Sequence, residues 1–191
     1  MLLFGIFFAV WIAYFTIPFF WLLVHPFAEF WRRRRGRTYA AFAVAVWLGM
    51  EAAFWLTANF WYRERFPRPW PVWLLAGAFI LVEPLMVWLV EGELTVPILV
   101  GWAERDPHQF PPRLIDAGIY SRIRHPRYLG AMSALLGLAL ISGSLRLLEM
   151  SLLSLPLYWV LTEAEDRELL QRVGEPFRLY RDRVPRFIPR L

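Results

Sequence analysis

Long apolar runs separated by short polar loops fill the chain to about residue 90, and a denser alternation of apolar and charged stretches follows. Leu2 to Val24 carries no charge and, at about 1.5 Å per residue, is long enough to cross roughly 30 Å of hydrocarbon. A cleaved leader would want a basic start, a shorter apolar core and a small-residue cleavage site, so this run is expected to be a retained helix. Tyr39 to about Trp61 predicts a second span and Val72 to Val90 a third. Between them, Pro67, Pro69 and Pro71 hold the chain extended. In the polar stretch from Glu91 to Arg127, Leu94 to Trp102 is a short apolar piece expected to re-enter or to lie at the interface.

Tyr128 to Leu145 and Leu147 to Leu161 are two shorter apolar runs joined at Ser142-Gly143-Ser144. A turn that tight makes them antiparallel neighbours, a helical hairpin. The tail from Thr162 to Leu191 is charged yet periodic: Leu169, Val173, Phe177 and Tyr180 recur at helical spacing. Gly174 is placed to end one helix and Pro176 to open the next. The pattern predicts an all-α polytopic membrane protein of about five transmembrane helices, the last two a hairpin, with a helical C-terminal tail. With no repeat and no second apolar core, one domain is expected over residues 1–191. Residues 1–91 supply three spans, and residues 92–191 the polar loop, the hairpin and the tail.

Composition supports the membrane reading and gives it an orientation. The hydrophobic fraction is 58%, above the roughly 45–50% of soluble domains. Many of the 11 Trp sit near the ends of the apolar runs, where headgroups suit an apolar ring with a polar N–H. All 21 basic residues are Arg. With the N-terminus outside, 17 of them fall on the inner face, and four, Arg63, Arg65, Arg68 and Arg146, on the outer face. That is the positive-inside bias, with the C-terminus cytoplasmic. Loop orientation explains the Arg more simply than nucleic acid does, so no nucleic-acid partner is expected. The run Arg32 to Arg35 would bind anionic headgroups of the bilayer. Compact length and absent Lys point to a prokaryotic cytoplasmic membrane. The chain lacks cysteine, P-loop, dinucleotide fingerprint, HExxH and G-x-S-x-G signatures, and His25, His108 and His125 have no metal-ligand spacing. No metal is expected.

Two polar clusters remain. PPRLIDAGIYSRIRHPRY, from Pro111 to Tyr128, runs into the fourth span. Pro126 keeps the backbone extended at Arg124 and His125, then starts a helix whose free N–H groups suit an anion. Arg124 adds a fixed positive fork and His125 a hydrogen-bond donor or acceptor. An Arg/His anchor at the headgroups would use the same residues. Glu163, Glu165, Asp166 and Glu168 follow the fifth span, and a hairpin would return them to the same face. Opposed charges there suit a zwitterionic ligand, or equally an ion-pair network on an exposed helix. Glu51 and Glu83 lie inside spans, where a carboxylate is costly unless it is neutral or paired.

Together the clusters resemble the isoprenylcysteine carboxyl methyltransferase and phospholipid methyltransferase group of membrane enzymes. The matching residues are G-I-Y at Gly118 to Tyr120, R-H-P-R-Y-L-G at Arg124 to Gly130, and E-D-R-E-L-L at Glu165 to Leu170. Gly174, Tyr180 and R-V-P-R-F-I-P at Arg183 to Pro189 complete them. The resemblance implies an S-adenosylmethionine-dependent methyltransferase, isoprenylcysteine carboxyl methyltransferase-like, acting on a lipophilic or lipidated acceptor dissolved in the membrane. Residues 92–191 would then be the catalytic part. Carried over by position, Arg113, Leu114, Ile115, Tyr120, His125, Pro126, Arg127, Tyr128, Gly130 and Glu165 would contact the cofactor. Arg124 would orient the acceptor, and Glu165 would hold the cofactor beside it. Asp166 stands where many relatives carry a second Glu. Leu161 stands where the carboxyl-methylating enzymes carry an Arg facing the substrate carboxylate, which leaves room for an amine, thiol or other lipid acceptor.

The chemistry is consistent with that implication. The cofactor carries a sulfonium, a carboxylate and an ammonium, and methyl transfer draws much of its rate from alignment. Tyr120 and Tyr128 could lie near the sulfonium by cation–π attraction. A nicotinamide-dependent sterol-reductase-like enzyme would need more spans, and a membrane scaffold would leave the two clusters without a purpose.

Overall fold

A computed structural model of the protein describes residues 2–34, 36–91 and 113–189, with side chains from residue 5 onward. The expected re-entrant piece Leu94 to Trp102 lies outside the described residues, as does His108. The described residues form helices with no named strand. In order these are α1 (Leu2–Leu22), a 3₁₀ turn (His25–Phe27), α2 (Ala28–Arg32), α3 (Gly36–Leu56), α4 (Ala58–Trp61) and α5 (Trp70–Val90). A second 3₁₀ turn (Gly118–Ser121), α6 (Pro126–Ser142), α7 (Leu145–Val173) and α8 (Glu175–Arg183) follow.

Among the described residues, four stretches are long and apolar enough to cross a membrane: Gly5–Arg32, Gly36–Leu56, Trp70–Val90 and Leu145–Val173. The fourth expected span, α6, has 17 residues, the lower end of what a bilayer needs. Large apolar side chains on α3, α5 and α7 point outward, among them Leu48, Leu74, Leu81, Trp88 and Leu153. In water such a surface would be an aggregation liability; against lipid it costs nothing. The molecule is an integral membrane protein.

The second expected span differs in its end. Helix α3 stops at Leu56, and Thr57 directs its hydroxyl to Ala53 O (2.7 Å) before the short α4 begins. A Thr bonded back to the preceding turn competes with continuation of the helix. The fifth run also differs, because it does not stop at Leu161. Helix α7 continues unbroken to Val173 over 29 residues, roughly 43 Å at the ordinary helical rise. Its last turns therefore outrun about 30 Å of hydrocarbon and carry Glu163, Glu165, Asp166 and Glu168 beyond it. Gly174, at φ 78°, breaks the helix there, and α8 opens with Pro176 in its first turn.

Helix α6 is the centre of the bundle. Its small residues let neighbours come close. An added Cβ at Gly137 would lie 2.9 Å from Ala76 O and 3.0 Å from Ile80 N, and one at Gly130 would collide with Glu83 Oε2. Both glycines, two turns apart, seat α6 against α5. Helix α1 closes the other side through Trp11, whose Nε1–H donates to Ser151 Oγ (2.9 Å). Pro18, inside α1, has no N–H to offer the carbonyl of Tyr14, four residues earlier. Tyr158 of α7 donates its hydroxyl to that carbonyl instead (2.5 Å), so the freed acceptor is satisfied between helices.

The hairpin turn is built by two residues. Gly143 adopts φ 69°, the left-handed conformation that ends α6, and Ser144 caps α7 by accepting from Leu147 N (3.2 Å). The loop before α5 docks onto it: Phe66 N donates to Gly143 O (2.9 Å) and Leu145 N to Glu64 O (3.0 Å). Arg146 pairs with Glu64 at 2.7 Å. This end of the bundle thus holds the hairpin turn and the proline-rich loop, and the opposite end holds both polar clusters.

Candidate active site

At the polar end, the segment before α6 is clamped by the tail. Arg124 N donates to Pro185 O (2.9 Å) and His125 N to Arg186 O (3.1 Å), so residues 124–125 lie alongside 185–186. Tyr180 donates its hydroxyl to Tyr120 O (2.8 Å), and burial raises its pKa above the ordinary phenol value, keeping it a donor. Leu114 packs with Phe177, Tyr180 and Val184 beneath α8.

Asp166 is the hub. It is wholly buried and accepts from Arg124 Nη2 at 2.8 Å and from His125 Nε2 at 2.9 Å. Arg186 Nη2 reaches the same carboxylate at 3.4 Å. An ionised carboxylate only accepts, so His125 carries its hydrogen on Nε2 and presents Nδ1 the other way. There Nδ1 faces Glu165 Oε2 at 3.6 Å, a distance too long for a hydrogen bond. The Glu165 Oε2 atom is buried and has no hydrogen-bond partner among the described residues. Arg124 spends its fork on the protein, donating also to Arg181 O (2.9 Å) and Val184 O. Arg186 donates to Glu163 Oε2 (2.7 Å) and lies 4.3 Å over the Trp159 ring, while its Nε and Nη1 have no partner among the described residues. Phe187 and Tyr128 flank His125, with ring centroids 6.2 and 5.9 Å away.

The structure therefore brings together Arg124, His125, Pro126, Tyr128 and Glu165, and sets Leu114 and Tyr120 under the tail that covers them. Arg113 is exposed and Ile115 half-buried beside them. Two motif residues turn elsewhere. Arg127 donates to Glu83 Oε1 at 2.9 Å, which pairs the intramembrane carboxylate, and Gly130 makes room for that same Glu83. Leu161 is wholly buried in the apolar core with Phe15 and Tyr158. Three residues of the cluster take no role from sequence reading. Asp166 is singled out there only as a variant position beside Glu165, Arg186 lies in a matched motif without a role of its own, and His25 sits alone after the first span. His25 is buried, and the fields of Glu165, Arg172 and His125 reach it.

Among the described residues no group of three His, Asp or Glu is disposed to hold a metal ion. The apolar cavity at the other end, lined by Phe7, Trp11, Trp73 and Leu138, offers only Arg68 as a charged group, and Arg68 donates to Ile141 O. It has nothing to grip a zwitterion.

The profile of the phospholipid methyltransferase family matches residues 73–173, more than half of the chain and the stretch that carries α5, α6 and α7. The chain belongs to that family. It is a membrane methyltransferase by family, and the match spans Arg124, His125, Glu165 and Asp166, leaving His25 and Arg186 outside it. Comparison with curated proteins gave no match, and comparison with solved structures gave none either.

Proposed function

We propose that the protein transfers a methyl group from S-adenosylmethionine to a lipophilic acceptor dissolved in the membrane, an amine-bearing lipid being the acceptor the residues suit best. One observation carries the reading. Around His125, Glu165 offers a buried carboxylate oxygen and Arg186 two guanidinium nitrogens, all without hydrogen-bond partners among the described residues. Buried polar atoms are paired as a rule, and each exception asks for a partner. The ammonium of the cofactor's amino-acid end suits Glu165, and its carboxylate suits Arg186. The residues present therefore fit the group.

When bound, the cofactor supplies an electrophilic methyl on a sulfonium. The protein's part is to hold and to align. Asp166 fixes the tautomer and plane of His125, and Arg124 straps the tail across the start of α6. In this reading Arg124 orients the acceptor indirectly, by holding that cover in place. Tyr128 and Phe187 supply ring faces beside His125 that suit a cation. The buried Leu161 offers no cation to an acceptor carboxylate, which favours an amine over a prenylcysteine carboxylate. The acceptor enters from the bilayer and the cofactor from the polar end, which we take to be cytoplasmic.

The test is calorimetric titration of S-adenosylhomocysteine into the detergent-purified protein. Micromolar binding is expected, weakened at least tenfold in both His125→Ala and Glu165→Gln, with their melting temperatures showing that they still fold. A folded wild-type protein that binds nothing sinks the cofactor assignment, and undiminished binding in both variants sinks the site.

A further inference from the structure

His25 lies in the 3₁₀ turn that follows α1, well outside the family-matched stretch. It is 4% exposed, and neither ring nitrogen has a hydrogen-bond partner among the described residues. Its ring stacks on Trp21 at 5.0 Å with 18° between planes. The turn packs against α7, and Glu165, Arg172 and His125 are the charged or titratable groups within its electrostatic reach. Arg172 belongs to a separate link, 3.5 Å from Glu168, which Arg32 also holds at 3.1 Å. That link ties the first loop to α7 at Glu168, about one helical turn from Glu165.

Two buried polar groups without hydrogen-bond partners, Glu165 Oε2 on α7 and the imidazole of His25 in the turn packed against α7, form no ion pair with each other among the described residues. A histidine that served only to fill space under Trp21 could be a Phe, and would avoid burying two unsatisfied nitrogens. A neutral imidazole offers one donor and one acceptor; a carboxylate only accepts. An anion would be repelled by Glu165, and an apolar ligand would leave all of these atoms unsatisfied. An ammonium satisfies the carboxylate oxygen and the imidazole acceptor together.

We infer that His25 is a ligand-contacting residue of the Glu165 site, accepting a hydrogen bond from an ammonium that Glu165 neutralises. The inference rests on the functional reading given above and adds to it a contact from the first loop. The ammonium has two possible sources, the amino-acid end of the cofactor and the head of an amine acceptor.

The experiment separates them with His25→Phe, which keeps a ring on Trp21. The melting temperature without ligand should stay level or rise, because unsatisfied polar atoms are removed. S-adenosylhomocysteine binding that falls about tenfold or more assigns the cofactor's ammonium. Unchanged binding of that probe, with a tenfold fall in binding of lysophosphatidylethanolamine to the S-adenosylhomocysteine-loaded protein, assigns the acceptor's. His25→Gln, whose amide keeps one donor and one acceptor, should recover most of the loss, a rescue that a space-filling role would not produce. It also serves as the test if His25→Phe does not fold. No loss in either titration overturns the inference alone; a wild-type protein that binds no S-adenosylhomocysteine overturns the functional reading beneath it.

Discussion

Asp166 shows how one wholly buried carboxylate can organise the groups around it. It compensates Arg124 and Arg186 and fixes His125, and all three of those side chains are largely buried with it. Removing one partner of a buried ion pair strands the other, at a cost of about 3–5 kcal/mol. Asp166→Asn keeps the volume and loses the charge. The expected outcome is a stability loss of about 3 kcal/mol, with the tail after Val184 cleaved more readily by protease at temperatures where the helices persist. Wild-type stability and protection would show that Arg124 and Arg186 find other partners. Which residue of an acidic run becomes such a hub is decided by helical phase. On α7, Ser151, Ser154, Tyr158, Thr162 and Asp166 share the buried face, while Glu163 and Glu165 stand at its margin. His125 and Glu165 were legible because the motif's order carries them. Arg186 lies in a matched motif that gives it no role, and His25 in none, because each acquires meaning only from residues far along the chain.

At the level of elements, run lengths and turn residues revealed most of the fold: the hairpin at Gly143, the stop at Gly174 and the apolar spans. Apolar periodicity failed at α7, because charge enters the pattern where the helix leaves the hydrocarbon, and that change reads as an end. It was also silent on which helix is central, since small residues carry little hydropathy and declare their role only through what they touch. Gly137 is the test. An added Cβ meets Ile80 Cγ1 at 2.6 Å and the backbone of Ala76 and Ile80 at 2.9 and 3.0 Å. Rotating Ile80 would relieve only the first, so α5 and α6 must separate. Gly137→Ala is expected to cost about 1–3 kcal/mol, read as a lowered melting temperature in detergent. Gly77→Ala, on the same α5 but with nothing within 4 Å of the added Cβ, should be neutral or slightly stabilising. Equal effects of the two would mean that the α5–α6 contact does not depend on the missing side chain.

Across the whole molecule, the two ends of the bundle differ in charge and in construction. His25, Arg32, Arg124 and Arg186 gather at one end with the carboxylates of α7, and Arg65, Arg68 and Arg146 gather at the other around the hairpin turn. The arginine bias along the sequence argues for the first end in the cytoplasm, and the proposed water-borne cofactor would require the same. Either argument could fail without the other: loop charge directs insertion, whereas cofactor access concerns where the ligand is made. The chain contains no cysteine, so a single introduced thiol is the only one in the protein. Asn59 in α4 is exposed near the hairpin end, and Gln171 near the end of α7 is exposed at the polar end. In intact cells, a membrane-impermeant maleimide should label Asn59→Cys and leave Gln171→Cys unmodified, and inverted vesicles should reverse the pattern. Labelling of Gln171→Cys alone in intact cells would place the charged site outside, and the proposed cofactor would then have no supply on its side of the membrane. Labelling of both would show that the ends do not lie on opposite faces, and the count of spans would have to change. Only the expected pattern would let one bundle meet the proposed soluble methyl donor at its Arg-rich end while taking the proposed acceptor from the lipid around α3, α5 and α7.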